Sequence, residues 1–320
     1  MQKAKDGAEI LVNVCAGLKT EERALIITDP QTKVVGFRLE SVAQTVSKYV
    51  THVTINALEM HGQEPPDDVA RQMFESDVIF GLTKMSMAHT QACRRALKAQ
   101  ARYLSLPDYS VDLLSSQSLE ADFKALTSTV EYVTEILSKG RILRITSELG
   151  TDIKIDIKNR KANSAPGWCS VKGMLSSPPD VESNIAPLEN GSEGILVIDG
   201  SIPWRELGIL KKILKVVVKK GRIVEIIGEK SKIVTRLLDS LNNPLTRVLA
   251  EIGFGLNPKA ILRGVMLEDE GCMGTVHFGF GSNILLGGKN KVPFHLDMVM
   301  RYPTVTVDNE KFYDKGKLAR

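Results

Sequence analysis

The hydrophobic pattern changes its period part-way along the chain, and this change restricts the possible folds more than any single motif does. Over the first 127 residues, short apolar runs alternate with stretches of helical period. Ala24 to Thr28 (ALIIT) reads as a strand, 39–50 as a helix and 53–56 as a strand. Prolines at 65 and 66 suit the start of a helix running to Phe74. Val78 to Leu82 (VIFGL) reads as a buried strand, followed by a helix over 90–101 and a strand over 102–106. Such alternation packs as a parallel sheet with helices on both faces. Nucleotide-binding domains share the pattern. Here no GxGxxG or GxxxxGK(S/T) follows a strand, so no dinucleotide cofactor is expected.

From residue 128 the pattern is different. A helix over 128–139 leads into 141–157 (RILRITSELGTDIKIDI), which alternates with period two around Leu149-Gly150, the signature of a hairpin. Further strands are expected at 194–199 and at 216–228, the latter turning at Lys220-Gly221, and 231–241 reads as a helix. The expected organisation is an α/β, Rossmann-like domain with a parallel sheet over 1–127. An α+β domain with a largely antiparallel sheet follows over 128–320.

The chemistry concentrates in 250–306. Residues i and i+2 of a strand point to the same face. In Phe294-His295-Leu296-Asp297-Met298, the apolar residues share one face with Met300, and His295 and Asp297 share the other. An imidazole nitrogen and a carboxylate oxygen side by side are good donors to zinc, manganese or iron. In 275–280, Val276, Phe278 and Phe280 make the apolar face, and His277 lies opposite with Thr275 and Gly279. In 251–256, Ile252, Phe254 and Leu256 make the apolar face, and Glu251 lies opposite with Gly253 and Gly255. Glycine inside a strand often marks a close approach. A lone strand histidine is ordinarily a hydrogen-bonded residue, and a His-x-Asp pair can be a structural contact. Three strands repeating one arrangement point instead to a divalent-metal site on which the α+β domain is centred. His52, His61 and His89, in the first domain, read as non-ligands. Glu182, in the segment VESNIAP, is a candidate bridging carboxylate. Glu268 and Glu270, in the acidic run before the His277 strand, are candidates for proton transfer near a metal-activated water.

Composition removes other classes. The net charge is only +4 and aromatic residues make up 5%, which does not suit a nucleic-acid platform. The lysines at 211, 212, 215, 219 and 220 alternate with Leu and Val and read as a solvated face. The four cysteines form no CxxC pair, which fits buried free thiols in a reducing cytoplasm. The N-terminal 18 residues carry charge and then an amphipathic stretch, with no signal-peptide core, and no window approaches a membrane span. A soluble, cytoplasmic protein without membrane or nucleic-acid partners is expected.

The stretches AEIGFGLNP, LEDEGCMGTVHFGFG and the Gly-Gly segment leading to PFHLD resemble metallo-aminopeptidases of the aminopeptidase T type. They equally resemble a sister group that includes 2,5-dihydroxypyridine 5,6-dioxygenase, an Fe(II) ring-opening enzyme. The resemblance covers most of 140–310. The aminopeptidase pattern implies two metals held by two glutamates, two histidines and an aspartate, which fall on Glu182, Glu251, His277, His295 and Asp297. That family's tyrosine after the first histidine is absent, with Ile284 near its place. The dioxygenase pattern implies one iron on two histidines and an aspartate. It is matched at His295 and Asp297, while its first iron histidine falls on Glu251. The ligand types favour a metal-dependent hydrolase acting on a peptide or amide, with zinc, cobalt or manganese. The alternative is an Fe(II) dioxygenase acting on a dihydroxypyridine-like ring. The resemblance also implies a homodimer and a small-molecule or peptide substrate.

Overall fold

The computed structural model describes residues 6–169, 171–204 and 206–319. The chain forms two compact units, one of residues 1–124 and 167–179, the other of 125–166 and 180–320. The division is thus not a single cut near residue 127. The short strand Leu175–Ser176 runs back into the first unit and pairs in parallel with Arg102–Ser105.

In the first unit the strands Ala24–Thr28, Val50–Thr54, Val78–Leu82 and Arg102–Ser105 form a parallel sheet. Leu25, Ile27 and Ile79 on one face pack against Val69 and Met73 of the helix Asp67–Glu75 and Ala92, Cys93 and Ala96 of Gln91–Lys98. The helix Lys33–Val46 covers the opposite face, so closely that a Cβ on Gly36 would sit 2.3 Å from Thr28 Cγ2. This helix starts earlier and stops sooner than the expected 39–50. Asp29 Oδ1 accepts the amides of Gln31 and Thr32, a turn that launches the chain into the helix. Val34 and Phe37 of its first turns are solvent-exposed, which hides the helical period there. The following strand begins at Val50 rather than 53 and is a half-exposed edge with little apolar signal. Of the N-terminal stretch, residues 1–5 lie outside the described residues, and Gly7–Ile10 begins a short helix.

The second unit holds two antiparallel sheets. One has eight strands in the order Arg222–Ile227, Leu214–Lys219, Ser192–Ile198, Asp152–Asp156, Ile142–Thr146, Thr304–Val307, Glu310–Asp314 and Lys317–Leu318. Both expected hairpins are in it, and Lys220 and Gly221 each have positive φ, as a two-residue turn demands. The lysines of Leu214–Lys219 occupy the wetter alternate positions. The other sheet has seven strands, ordered Gly208–Ile209, Ser201–Ile202, His295–Arg301, Thr275–Gly281, Leu249–Gly255, Glu182–Ile185 and Asn163–Ala165. Its apolar face carries Ile252, Phe254, Val276, Phe278, Phe280 and Met298, all fully buried. Phe254 meets Phe312 and Tyr313 of the eight-stranded sheet. The helix Phe123–Lys139 supports the same face, where Thr134 and Ser183 share a 2.8 Å hydrogen bond. All four cysteines are free and buried. Among the described residues no helix is long and apolar enough to cross a membrane.

Candidate metal centre

The four central strands of the seven-stranded sheet put every expected ligand on its second face. Cross-strand partners in an antiparallel sheet share a face, so register settles the arrangement. Glu182 pairs with Gly255, and Gly253 pairs with His277. Glu251 pairs with Gly279, which pairs in turn with Asp297, and Gly281 pairs with His295. Donor-bearing residues and glycines thus alternate across the sheet. The space above each glycine is used by the neighbouring donors. A Cβ on Gly253 would lie 2.1 Å from His277 Nε2 and 2.7 Å from Glu182 Oε2. One on Gly279 would lie 2.5 Å from His295 Nε2 and 2.9 Å from Asp297 Oδ1. The close approach that the strand glycines allow is made by these side chains.

Two groups of three donors result: Glu182, Glu251 and His277, and Glu251, His295 and Asp297. Within each, the donor atoms lie within 4.8 Å of one another. His277 Nε2 is 3.3 Å from Glu182 Oε2 and 3.7 Å from Glu251 Oε1. His295 Nε2 is 3.2 Å from both Glu251 Oε2 and Asp297 Oδ1. The carboxylate common to both groups is therefore Glu251, each oxygen facing one histidine. Glu182 is the candidate bridge on sequence grounds. Its strand lies one place further from the His295 strand, so it reaches only the His277 group. His52, by contrast, is tied to Thr28 and Glu40, and His61 accepts the Ser86 amide; neither belongs to these donor groups among the described residues.

The electrostatics fit a cation. His295 Nδ1 faces the carbonyl of Ser282 at 3.1 Å and must be the donor there. A neutral ring would then turn the Nε2 lone pair toward two carboxylates, an arrangement only a proton or a cation at that point can hold together. Burial lowers the pKa of His295, but Asp297 and Glu251 outweigh it and hold the ring well above its ordinary range. Burial likewise pulls His277 down, and Glu182, Glu251 and Asp297 raise it to about 10. Burial pushes Glu251 up, but the two histidines win and bring it to about 2. Burial raises Glu182; His277 pulls it back, Glu251 adds to the rise, and it settles at about 7. Glu182 Oε2 is buried and has no hydrogen-bond partner. In the absence of a cation, protons hold the cluster together, and a divalent ion can displace them. The donors are oxygen and imidazole nitrogen with no thiolate, a set suited to zinc, cobalt, manganese or Fe(II).

Glu268 and Glu270 part company. Glu268 is fully buried in an ion pair with Arg263, whose Nε donates at 2.7 Å. Glu270 Oε1 is buried and unpaired, and burial together with Asp297, Asp180, Glu182 and Glu251 holds its carboxyl well above the usual range. Asp180, not singled out from the sequence, is buried with an unpaired Oδ1 and is held up by burial, then by Glu182. Its parity with Glu182, two residues on, was the available signal, but Pro178-Pro179 before it masked a strand reading.

Residues 14–320 match the model of the 2,5-dihydroxypyridine 5,6-dioxygenase (NicX) family. The 2,5-dihydroxypyridine 5,6-dioxygenase of Pseudomonas putida (strain KT2440) is 27% identical over 186 residues, or 55% of this chain and 53% of that protein. The match thus spans about half the length of that curated relative. The solved structure of 2,5-dihydroxypyridine dioxygenase from Pseudomonas putida KT2440 is similar with a TM-score of 0.84 at 19% identity, covering 98% of this chain and 96% of that one. Wild-type AmpT from Thermus thermophilus is similar with a TM-score of 0.70 at 16% identity over 98% of both chains. At these identities the two structures show a shared fold.

Proposed function

The chain belongs to the 2,5-dihydroxypyridine 5,6-dioxygenase family, an enzyme family, and from its donor set rather than from that membership we propose that it is a metal-dependent hydrolase, aminopeptidase-like, acting on a peptide or amide bond. The observation that carries this reading is the placement of Glu251, whose two oxygens face two different histidines. A shared carboxylate between two three-donor groups is the arrangement that two adjacent divalent ions need. Glu182, Glu251 and His277 would hold one, and Glu251, His295 and Asp297 the other. The chemistry that zinc, cobalt or manganese supplies there when bound is Lewis acidity, which polarises a carbonyl and lowers the pKa of water.

The protein's own groups do the rest. The Ser282 carbonyl fixes the His295 ring so that Nε2 faces the site. Gly253 and Gly279 give the two imidazoles their room. Burial and the neighbouring carboxylates raise the affinity of Glu270 for a proton. With the cluster's negative charge offset, its Oε1 accepts a proton from water and returns it to the leaving amine.

Membership of the family favours a second reading, a non-haem Fe(II) dioxygenase that opens a dihydroxypyridine-like ring, with His295 and Asp297 among its donors. One experiment separates the two. Amine release from peptides and amides is followed with zinc, cobalt or manganese. Oxygen consumption is followed with Fe(II) and dihydroxylated aromatic rings. Amine release supports the hydrolase; oxygen uptake coupled to ring loss, with no amine release, replaces it by the dioxygenase.

A further inference from the structure

The row of residues through His277 continues across the sheet beyond the metal donors. Gly253 pairs with His277 on one side and with Asn184 on the other, and Asn184 pairs with Asn163. Both asparagines therefore point to the site face. Asn184 is buried. Its Nδ2 donates to Glu182 Oε1 at 2.7 Å, and its Oδ1 accepts from Asn163 Nδ2 at 2.9 Å. A carboxylate only accepts, so Asn184 turns its donating end to Glu182, and the bond from Asn163 to its accepting end holds the amide that way round. Oε1 of Glu182 is thereby occupied. Oε2 is left buried, without a hydrogen-bond partner and 3.3 Å from His277 Nε2.

We propose that Asn163 and Asn184 are positioning residues for the cation held by Glu182, Glu251 and His277. By occupying Oε1 they commit Glu182 to donate through Oε2 alone, and so they set the affinity of this buried position. The inference rests on the reading that the cluster holds divalent cations, and not on which reaction follows. A carboxylate free to rotate must be ordered when the ion arrives; one held by an amide is ordered beforehand, and outer partners of this kind are worth roughly 10- to 100-fold in metal affinity. The other half of the cluster is oriented separately, through the Ser282 carbonyl.

The test is a calorimetric titration of cation-free protein with Mn²⁺, with bound manganese counted by elemental analysis and thermal unfolding recorded alongside. N163D keeps the volume but exchanges the donating amide for an anionic acceptor. It faces Asn184 Oδ1 with an acceptor, turns the amide over and points its oxygen at Glu182 Oε1. One of two binding steps should weaken by roughly 10- to 100-fold while the other stays unchanged. N163A frees the amide without reversing it and should weaken the same step less; it carries the test alone if N163D does not fold. Wild-type affinity in both variants overturns the inference, as does an equal weakening of both steps with a matching loss of thermal stability, which marks general packing. Absence of Mn²⁺ binding in the wild type is a different failure, since it removes the cation reading on which the inference stands.

Discussion

Gly253 and His277 face each other across neighbouring antiparallel strands, and the imidazole lies over the glycine at a distance where a methyl group would come within 2.1 Å of Nε2. No rotation of a neighbour relieves that contact except movement of His277 itself. Gly253→Ala should therefore displace the imidazole and weaken cation binding at the Glu182–Glu251–His277 position by on the order of 100-fold. Gly279→Ala should act on the His295–Asp297 position instead. Elemental analysis of the purified variants checks both; two fully loaded positions in either would contradict the packing argument.

Glu251 is common to both donor groups, whereas Glu182 and Asp297 each belong to one. Glu251→Gln should abolish tight binding of both cations. Glu182→Gln and Asp297→Asn should each leave one. Counting ions per chain after dialysis tests this, and equal losses across the three variants would remove Glu251 from its bridging place.

Loading with cations should depend on pH in a defined sense. His277 is raised from 6.5 to about 10, so it is protonated in the cation-free protein at neutral pH. Its contribution to the stability of that state is fully present below about 6.5 and is lost as the pH rises through about 10. Glu251, lowered from 4.5 to about 2, contributes above about 4.5, and its contribution is lost as the pH falls through about 2. A cation must displace the His277 proton, so binding at pH 7.5 should release about one proton or more, and affinity should climb with pH up to about 10. Calorimetry in two buffers of different ionisation enthalpy measures the proton count. A value of zero would show that the imidazole is already neutral or does not bind the ion.

Glu270 and Glu268 should give opposite phenotypes. Glu270→Gln keeps the cation donors and removes the proton acceptor, so turnover should fall by roughly 10²- to 10⁴-fold with metal content unchanged. Glu268→Gln breaks a buried ion pair with Arg263 and should cost about 1–3 kcal/mol of stability with turnover within a few-fold of wild type. Chemical denaturation and steady-state rates distinguish the two. A Glu268 variant that is stable but inactive would reverse the assignment.

The period of the hydrophobic pattern is a local property, and what depends on it could be read directly. The parallel and antiparallel halves, the turn at Lys220-Gly221 and the face shared by His295 and Asp297 all follow from residues a few positions apart. So does the pairing of Glu251 with Gly253 on one face. What parity cannot supply is register, because the partner of each strand residue is chosen by packing across the sheet. Register placed Gly253 beside His277 and Gly279 beside Asp297, with the His295 ring leaning over Gly279, and it made Glu251 rather than Glu182 the shared carboxylate. It also brought Asn163 beside Asn184, 21 residues further along the chain, to orient a ligand. The ion pair of Glu268 with Arg263 likewise lies outside any periodic pattern. The start of the helix Lys33–Val46 is not legible in the sequence because Val34 and Phe37 face solvent, where no period records the fold. The sequence thus determined which residue types stand on the reactive face. Only the tertiary structure decided which of them meet, because meeting depends on contacts between strands distant in the chain.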